Sequence, residues 1–223
     1  MKLLITTANL GNIDESAQPH VRQELPAGLS VHFVRYDDAT LLPRHNALHP
    51  RLQAKLPKML GHELQPGYDW YMWIDASIYL AHPHAVIWML SKLQDSQIAF
   101  FRHPWRSSIA AELAYCSQLM SQGNAYLDDR YGNEPMVAQV SSYLSDQSFV
   151  DDRLYCGGVF CYGSGLNASR PTFFSDWYYH CARHTVQDQL SLPYLLHKHA
   201  VRCSSIDDNL FDTPYFAMKQ HLR

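Results

Sequence analysis

Cysteine is sparse in this chain and has none of the spacings that make a framework. The five residues, Cys116, Cys156, Cys161, Cys181 and Cys203, are odd in number and include no C-x-x-C pair. That pattern speaks against both a closed disulfide scaffold and a structural zinc site, and it suits a reducing compartment such as the cytoplasm. Long apolar runs are missing as well. No stretch approaches the roughly 18 to 20 apolar residues needed to cross a bilayer, and the opening MKLLITTAN carries an apolar run too short for a secretion signal. Charge is modest, at 17% of residues with a formal net charge of -3, which gives no basis for general nucleic-acid or anionic-membrane binding. No Pro/Gly/Ser-rich linker, repeat or low-complexity tract divides the 223 residues, so one domain over 1–223 is expected. Histidine is the exception to this scarcity, with 13 residues and two H-x-H pairs, His82 with His84 and His197 with His199. Neither pair has a third ligand at a recognisable spacing and no HExxH accompanies them, so surface or helix-end roles are expected.

What is present is organised around YDWYMWIDASIYL, Tyr68 to Leu80. Its aromatic and branched residues read as a buried strand over Tyr68 to Ile74, which puts Asp75 at the strand's carboxyl end, where open α/β sheets bind ligands. Asp75 with the hydroxyl of Ser77 can hold a divalent cation against a diphosphate, because hard cations take oxygen ligands. The same carboxylate can instead cap a turn.

Other polar groups follow other strands. KLLITTAN, Lys2 to Asn9, reads as a first strand running into a turn at Gly11 and Asn12, which places Thr6 and Ala8 near its end as donor-binding candidates. VHFVRYDD ends a second strand in Asp37 and Asp38, either ligands for ribose or base or simple caps. Between the two, Ser16 to Gly28 reads as a short helix or a loop. RLQAKLPKMLGHEL, Arg51 to Leu64, follows Pro50 as a helix with Arg51 and Lys55 one turn apart, able to neutralise phosphates or to form a solvated face. Pro57 is expected to kink or restart that helix, so Lys58 is not counted in the stripe.

Further along, His84 to Leu93 has helical spacing and QIAFF reads as a strand. HPWR then enters a helix capped by Ser107 or Ser108, with His103, Arg106 and Glu112 as candidates for hydroxyl or carboxylate binding, or for a structural ion pair. Asn124 to Asn133 reads as a loop and Glu134 to Leu144 as a helix. In LYCGGVFCYGSG the adjacent Gly157 and Gly158 imply that a ligand or another backbone comes close, or that the strand bulges. Aromatics in FFSDWYYHCAR belong to the core. Asp188 and Gln189 open VQDQLSLPYLLHKH, where Asp188 can cap a helix and face a pocket. The tail has an acidic turn at Asp207 and Asp208, with Phe211, Tyr215 and Phe216 as anchors.

The ordered set RLQAKLPK, YDWYMWIDASI, HPWR with Glu112, and DQLSLPYLL resembles the glycosyltransferase-like family long catalogued as a domain of unknown function and related to plant polysaccharide-synthesising proteins. The resemblance runs from the first strand to His199. It implies a single-domain GT-A fold, a Rossmann-like α/β sheet, mixed but mainly parallel and flanked by helices. It also implies a nucleotide-sugar donor bound through manganese or magnesium, with Asp75 the metal or diphosphate residue, Arg51 and Lys55 donor-binding, and Asp188 with Gln189 catalytic residues near the transferred sugar. The paired glycines and the Asp-Gln dipeptide are similar to features of family-eight-type glycosyltransferases, which extends the donor set to Gly157 and Gly158. Two departures stand out: Ala76 and Ser77 replace the family's Gly-Asn, and Gln187 replaces its arginine.

The expected reaction transfers a sugar from a nucleoside diphosphate to a glycan or glycolipid hydroxyl, at the cytoplasmic face of a membrane. Asp188 would act there as base or as stabiliser of a cationic sugar. A non-catalytic nucleotide-sugar or carbohydrate binder of the same fold is the alternative, separable by a turnover assay. A metal-dependent hydrolase would need stoichiometric zinc on the histidine pairs.

Overall fold

A computed structural model describes residues 1–11, 20–41 and 48–219. Asn12 and the start of the Ser16–Gly28 segment therefore lie outside the described residues. The described part of that segment has no helix; it runs along the fourth strand, with Val21 N donating to Leu80 O at 2.9 Å.

The first strand, β1 (Lys2–Ala8), is almost wholly buried, because parallel neighbours lie on both its edges and apolar layers on both its faces. It pairs with β2 (Ser30–Tyr36) on one side and with β3 (Trp70–Ile74) on the other. Beyond β3 come β6 (Tyr155–Gly163), β5 (Ile98–Arg102) and β7 (Cys203–Ile206), giving the order β2-β1-β3-β6-β5-β7. β6 is antiparallel to both its neighbours and β5 is parallel to β7, so five strands share one direction. The sheet is mixed and mainly parallel, as the family resemblance implied. A small antiparallel pair, β4 (Ile78–Leu80) with β8 (Phe216–Met218), stands apart.

Strand alternation sends Leu4, Tyr71, Trp73 and Phe160 to one face and Leu3, Met72, Ile74 and Phe101 to the other. The first face is covered by α1 (Pro50–Met59), α8 (Phe173–Arg183) and α9 (Asp188–Lys198), with Phe173, Phe174 and Trp177 fully buried. On the second face Ala85, Val86 and Met89 of α3 (Ala85–Ser91) pack with Phe216 of β8. α4 (Ile109–Ser121), α6 (Met136–Leu144) and α9 enclose a third cluster around Tyr143 and Leu190. Short helices α2 (Gly61–Leu64) and α7 (Gly165–Ser169) complete the turns. No described helix is long and apolar enough to cross a membrane.

Two local expectations are corrected. Pro57 does not restart α1, which runs unbroken to Met59 and only then gives way to α2. A proline removes one donor in the last turns of a helix, and packing against α8 and β1 holds the remaining turn. The second concerns Asn124–Asn133, where a helix, α5 (Ala125–Tyr131), replaces the expected loop. Asn124 starts it by accepting a hydrogen bond from Leu127 N at 3.0 Å, so a residue that looked like a loop marker is a cap.

Candidate active site

At the carboxyl ends of β1 and β3 the chain leaves in opposite directions, to β2 on one side and, by way of β4 and α3, to β5 on the other. Such a switch point opens a crevice above the sheet. Here the crevice has two lobes, of about 130 and 200 Å³. Ala8, Asn9 and Leu10 line the first, together with Arg51 and Trp73; Gly157, Gly158, Asp188 and Gln189 line the second. Lys55, Lys58, Asp75, Ser77 and Arg130 border both.

Helix periodicity explains the basic wall. Arg51, Lys55 and Lys58 stand at i, i+4 and i+7 of α1, one face of the helix, and Pro50 and His49 start it, with His49 Nδ1 accepting from Arg51 N at 3.2 Å. The face is not solvated. Lys58 is 5% exposed, and its Nζ lies 2.7 Å from Asp188 Oδ2 and 3.3 Å from Asp75 Oδ1. Lys55 Nζ also reaches Asp188 Oδ2 at 2.7 Å, and Arg51 pairs with Asp129 at 3.1 Å. Lys58 is a residue of this wall that sequence reasoning missed. The i, i+4, i+7 spacing was there to be read, but the proline beside it argued against continuing the stripe.

The charges settle one another. Burial alone would raise the pKa of Asp188, but the ammonium groups of Lys55 and Lys58 outweigh it and hold the carboxyl well below the usual carboxylate range. Burial likewise works to lower the pKa of Lys58, yet the carboxylates of Asp188 and Asp75 raise it above the ordinary lysine range. Both groups are therefore ionised at neutral pH. Asp75 is held from the other side by Trp73, whose Nε1 donates to Oδ1 at 2.6 Å. Among the described residues no donor is bonded to Asp75 Oδ2, and the side chain is 42% exposed to the cleft.

The paired glycines sit at a bulge, the second of their two alternatives. β6 shifts register against β5, with Phe100 opposite Phe160 but Phe101 opposite Cys156, so the strand bulges across Gly157–Val159. A Cβ on Gly157 would sit 3.1 Å from Asp188 Oδ1 and 3.3 Å from Lys58 Nζ, and one on Gly158 would sit 2.9 Å from Ile78 Cδ1. The close neighbours are thus side chains, the buried ion pair at Gly157 and Ile78 at Gly158, rather than another backbone. Gly158 O also accepts from Asp75 N at 2.8 Å, which fixes the loop after β3.

On α9, Asp188 is the first helical residue and Gln189 follows it, its Nε2 donating to Tyr155 O at 2.9 Å. Of the candidates named from sequence, the cleft gathers Ala8, Arg51, Lys55, Asp75, Ser77, Gly157, Gly158, Asp188 and Gln189. It does not gather the others. Thr6 lies one step deeper on the same strand face, buried beneath Gly61. Asp37 caps its own turn, accepting from Ala39 N at 2.9 Å and Thr40 N at 2.8 Å, and Asp38 accepts from Gly11 N at 3.0 Å; the described cleft lining includes neither. His103, Arg106 and Glu112 form a cluster around the buried Glu112 carboxylate instead. Arg106 Nε donates to Glu112, whose other oxygen accepts from Gln187 Nε2 at 2.6 Å, so the structural ion pair prevails. Gln187, Arg130 and Tyr131 border the second lobe without having been foreseen. The last two sit there because α5 is a helix.

Within the first histidine pair His82 Nδ1 accepts from His84 N at 3.1 Å and the rings meet edge to face. His84 pairs with Glu24 at 2.8 Å, His197 faces Ser148 Oγ at 3.1 Å, and His199 meets Asp176 at 2.9 Å. Among the described residues no group of three or more His, Cys, Asp or Glu side chains is placed to hold a metal ion.

The TOD1/MUCI70 glycosyltransferase-like domain matches residues 13–217. No curated protein matches in sequence. Among solved structures, mouse xyloside xylosyltransferase 1 in its apo form aligns over 93% of this chain and 86% of its own, at 10% identity and a TM-score of 0.51, which shows a shared fold. A197 from STIV aligns over 93% of this chain and 82% of its own, at 9% identity and a TM-score of 0.41.

Proposed function

The chain belongs to the TOD1/MUCI70 glycosyltransferase-like family, and from that premise we propose that it transfers a sugar from a nucleoside-diphosphate sugar to a hydroxyl of a glycan or glycolipid. The observation that carries this reading is the position of Lys58. Its ammonium stands where the two lobes meet, between the carboxylates of Asp75 and Asp188.

In this reading the first lobe takes the nucleotide, with its diphosphate against Arg51, Lys55, Lys58 and Arg130, and the second takes the sugar beside Asp188 and Gln189. Bond breaking leaves negative charge on the diphosphate and oxocarbenium character on the sugar. Ammonium groups fixed in a buried wall meet the first charge without reorganising, and the Asp188 carboxylate faces the second. A carboxylate neutralised by two ammonium groups has little basicity. Asp188 therefore acts as a fixed charge rather than as the base that deprotonates the acceptor.

The donor set also fits manganese or magnesium, though not as a cage made by the protein alone. Asp75 offers one oxygen, Oδ2, beside Ser77, which suits an ion that magnesium-like sites share between one or two carboxylates and substrate phosphates. Asp75 and Ser77 would hold it, and when bound it would supply Lewis-acid stabilisation of the leaving phosphate oxygens. We place the reaction at the cytoplasmic face of a membrane, with a glycan or glycolipid acceptor presented there.

Thermal unfolding with UDP, GDP and their sugar conjugates, each with manganese or with EDTA, tests the reading. A ligand at about 100 times its Kd stabilises by about 2.7 kcal/mol, roughly 5 to 10 °C for a domain of this size. A rise with at least one nucleotide, and loss of its manganese-dependent part in Asp75→Asn, is expected. No rise with any of them refutes the donor assignment.

A further inference from the structure

We propose that Trp105 and Phe211 form a stacking platform for a pyranose ring at the open end of the second lobe, and that the acceptor is therefore an oligosaccharide chain. This rests on the transferase reading and deepens it. Phe211, read from the sequence as an anchor of the tail, is 44% exposed, and Trp105 is 65% exposed. The two rings stack, with centroids 5.0 Å apart and planes 21° from parallel. By contrast Trp73 and Trp177 are almost wholly buried. An indole left in water forgoes a large hydrophobic gain, and its flat face complements the C–H face of a sugar ring.

The placement names the occupant. Phe211 also lines the second lobe with Asp188 and Gln189, so a chain lying on the rings continues to the place where the sugar is transferred. Both rings are held on hydrogen-bonded turns: Trp105 N donates to His103 Nδ1 at 3.3 Å, and Phe211 N to Asn209 Oδ1 at 3.0 Å. Such a platform is set before binding, which lowers the entropic cost of using it. Around it stand exposed polar groups, Arg102 paired with Asp207 at 3.4 Å, suited to the hydroxyls on a sugar's rim. His103, first considered an acceptor ligand, becomes a positioning residue for Trp105.

Tryptophan fluorescence of the full chain, titrated with neutral xylo-, cello-, manno- and galacto-oligosaccharides, tests this. At least one should give a saturable shift that disappears in Trp105→Ala, and calorimetry should show its affinity falling about tenfold in that variant and in Phe211→Ala. Trp105→Phe should retain part of the affinity. Binding unchanged in both alanine variants, or no binding of any of the four series by the unaltered protein, overturns the proposal. The two readings separate cleanly. Oligosaccharide binding through Trp105 without any nucleotide-induced stabilisation supports the platform and sinks the donor assignment; nucleotide stabilisation without oligosaccharide binding does the reverse.

Discussion

Replacing Lys58 with methionine tests the centre of the site. The substitution keeps the length and much of the volume of the aliphatic stem, so packing changes little and the charge is what disappears. Two contacts are lost, to Asp188 at 2.7 Å and to Asp75 at 3.3 Å. Breaking a buried pair typically costs about 3 to 5 kcal/mol because the surviving charge is left without a partner. Asp188 keeps Lys55 at 2.7 Å and Asp75 keeps Trp73 at 2.6 Å, which argues for the low end, about 3 kcal/mol. For a domain of this size that lowers Tm by roughly 6 to 12 °C. Thermal unfolding followed by circular dichroism measures it, and a double-mutant cycle with Asp188→Asn isolates the pair, whose coupling should exceed about 1 kcal/mol. A Lys58→Met protein within about 2 °C of the unaltered one, with additive effects in the cycle, would refute the buried ion triad.

Gly157→Ala should weaken nucleotide stabilisation and slow transfer by about tenfold, since its Cβ would press on Asp188 and Lys58; the overpacking should cost about 1 kcal/mol of stability in urea unfolding. Asp188→Asn is expected to destabilise as well as inactivate, because it leaves two ammonium groups facing a neutral amide, and its Tm should drop rather than leave the fold untouched. For pH, the depressed pKa of Asp188 means that its contribution to stability is present above about pH 4, the unfolded value, and is lost as pH falls through the folded one. The raised pKa of Lys58 means that its contribution is full below about pH 10 and is lost as pH rises further. Neither group should add an inflection to a rate profile between pH 5 and 9; an acid limb there that vanishes in Asp188→Asn would show that Asp188 works as a base.

Strands and their ends were the most legible features. A run such as YMWI followed by Asp75 signals its own burial and its own end, because period-two packing on two faces admits only apolar residues until the chain leaves the sheet. The Gly157–Gly158 pair announced a close approach for a similarly local reason. Less legible were the residues whose roles depend on a partner far along the chain. Glu112 and Arg106 carried the same ambiguity as Asp75 and Ser77, and only the position of Gln187 beside Glu112 drew them out of the cleft and into a buried network. Asp37, by contrast, resolved as a turn cap through local partners, the hydroxyl and amide of Thr40 three residues on.

Alone, the sequence determined the sheet's apolar strands, the basic face of α1 as far as Lys55 and the acidic residue after β3, all of which rest on spacing along the chain, and its ordered motifs carried the family resemblance. The tertiary structure decided that α1 runs on through Pro57 to deliver Lys58, that α5 brings Arg130 and Tyr131 to the crevice, and that Asp188, 130 positions beyond Lys58, is its counter-ion. A buried charge is stable only beside its opposite. Which opposite that will be depends on how α1 and α9 pack over the same sheet face, a relation that no local pattern contains.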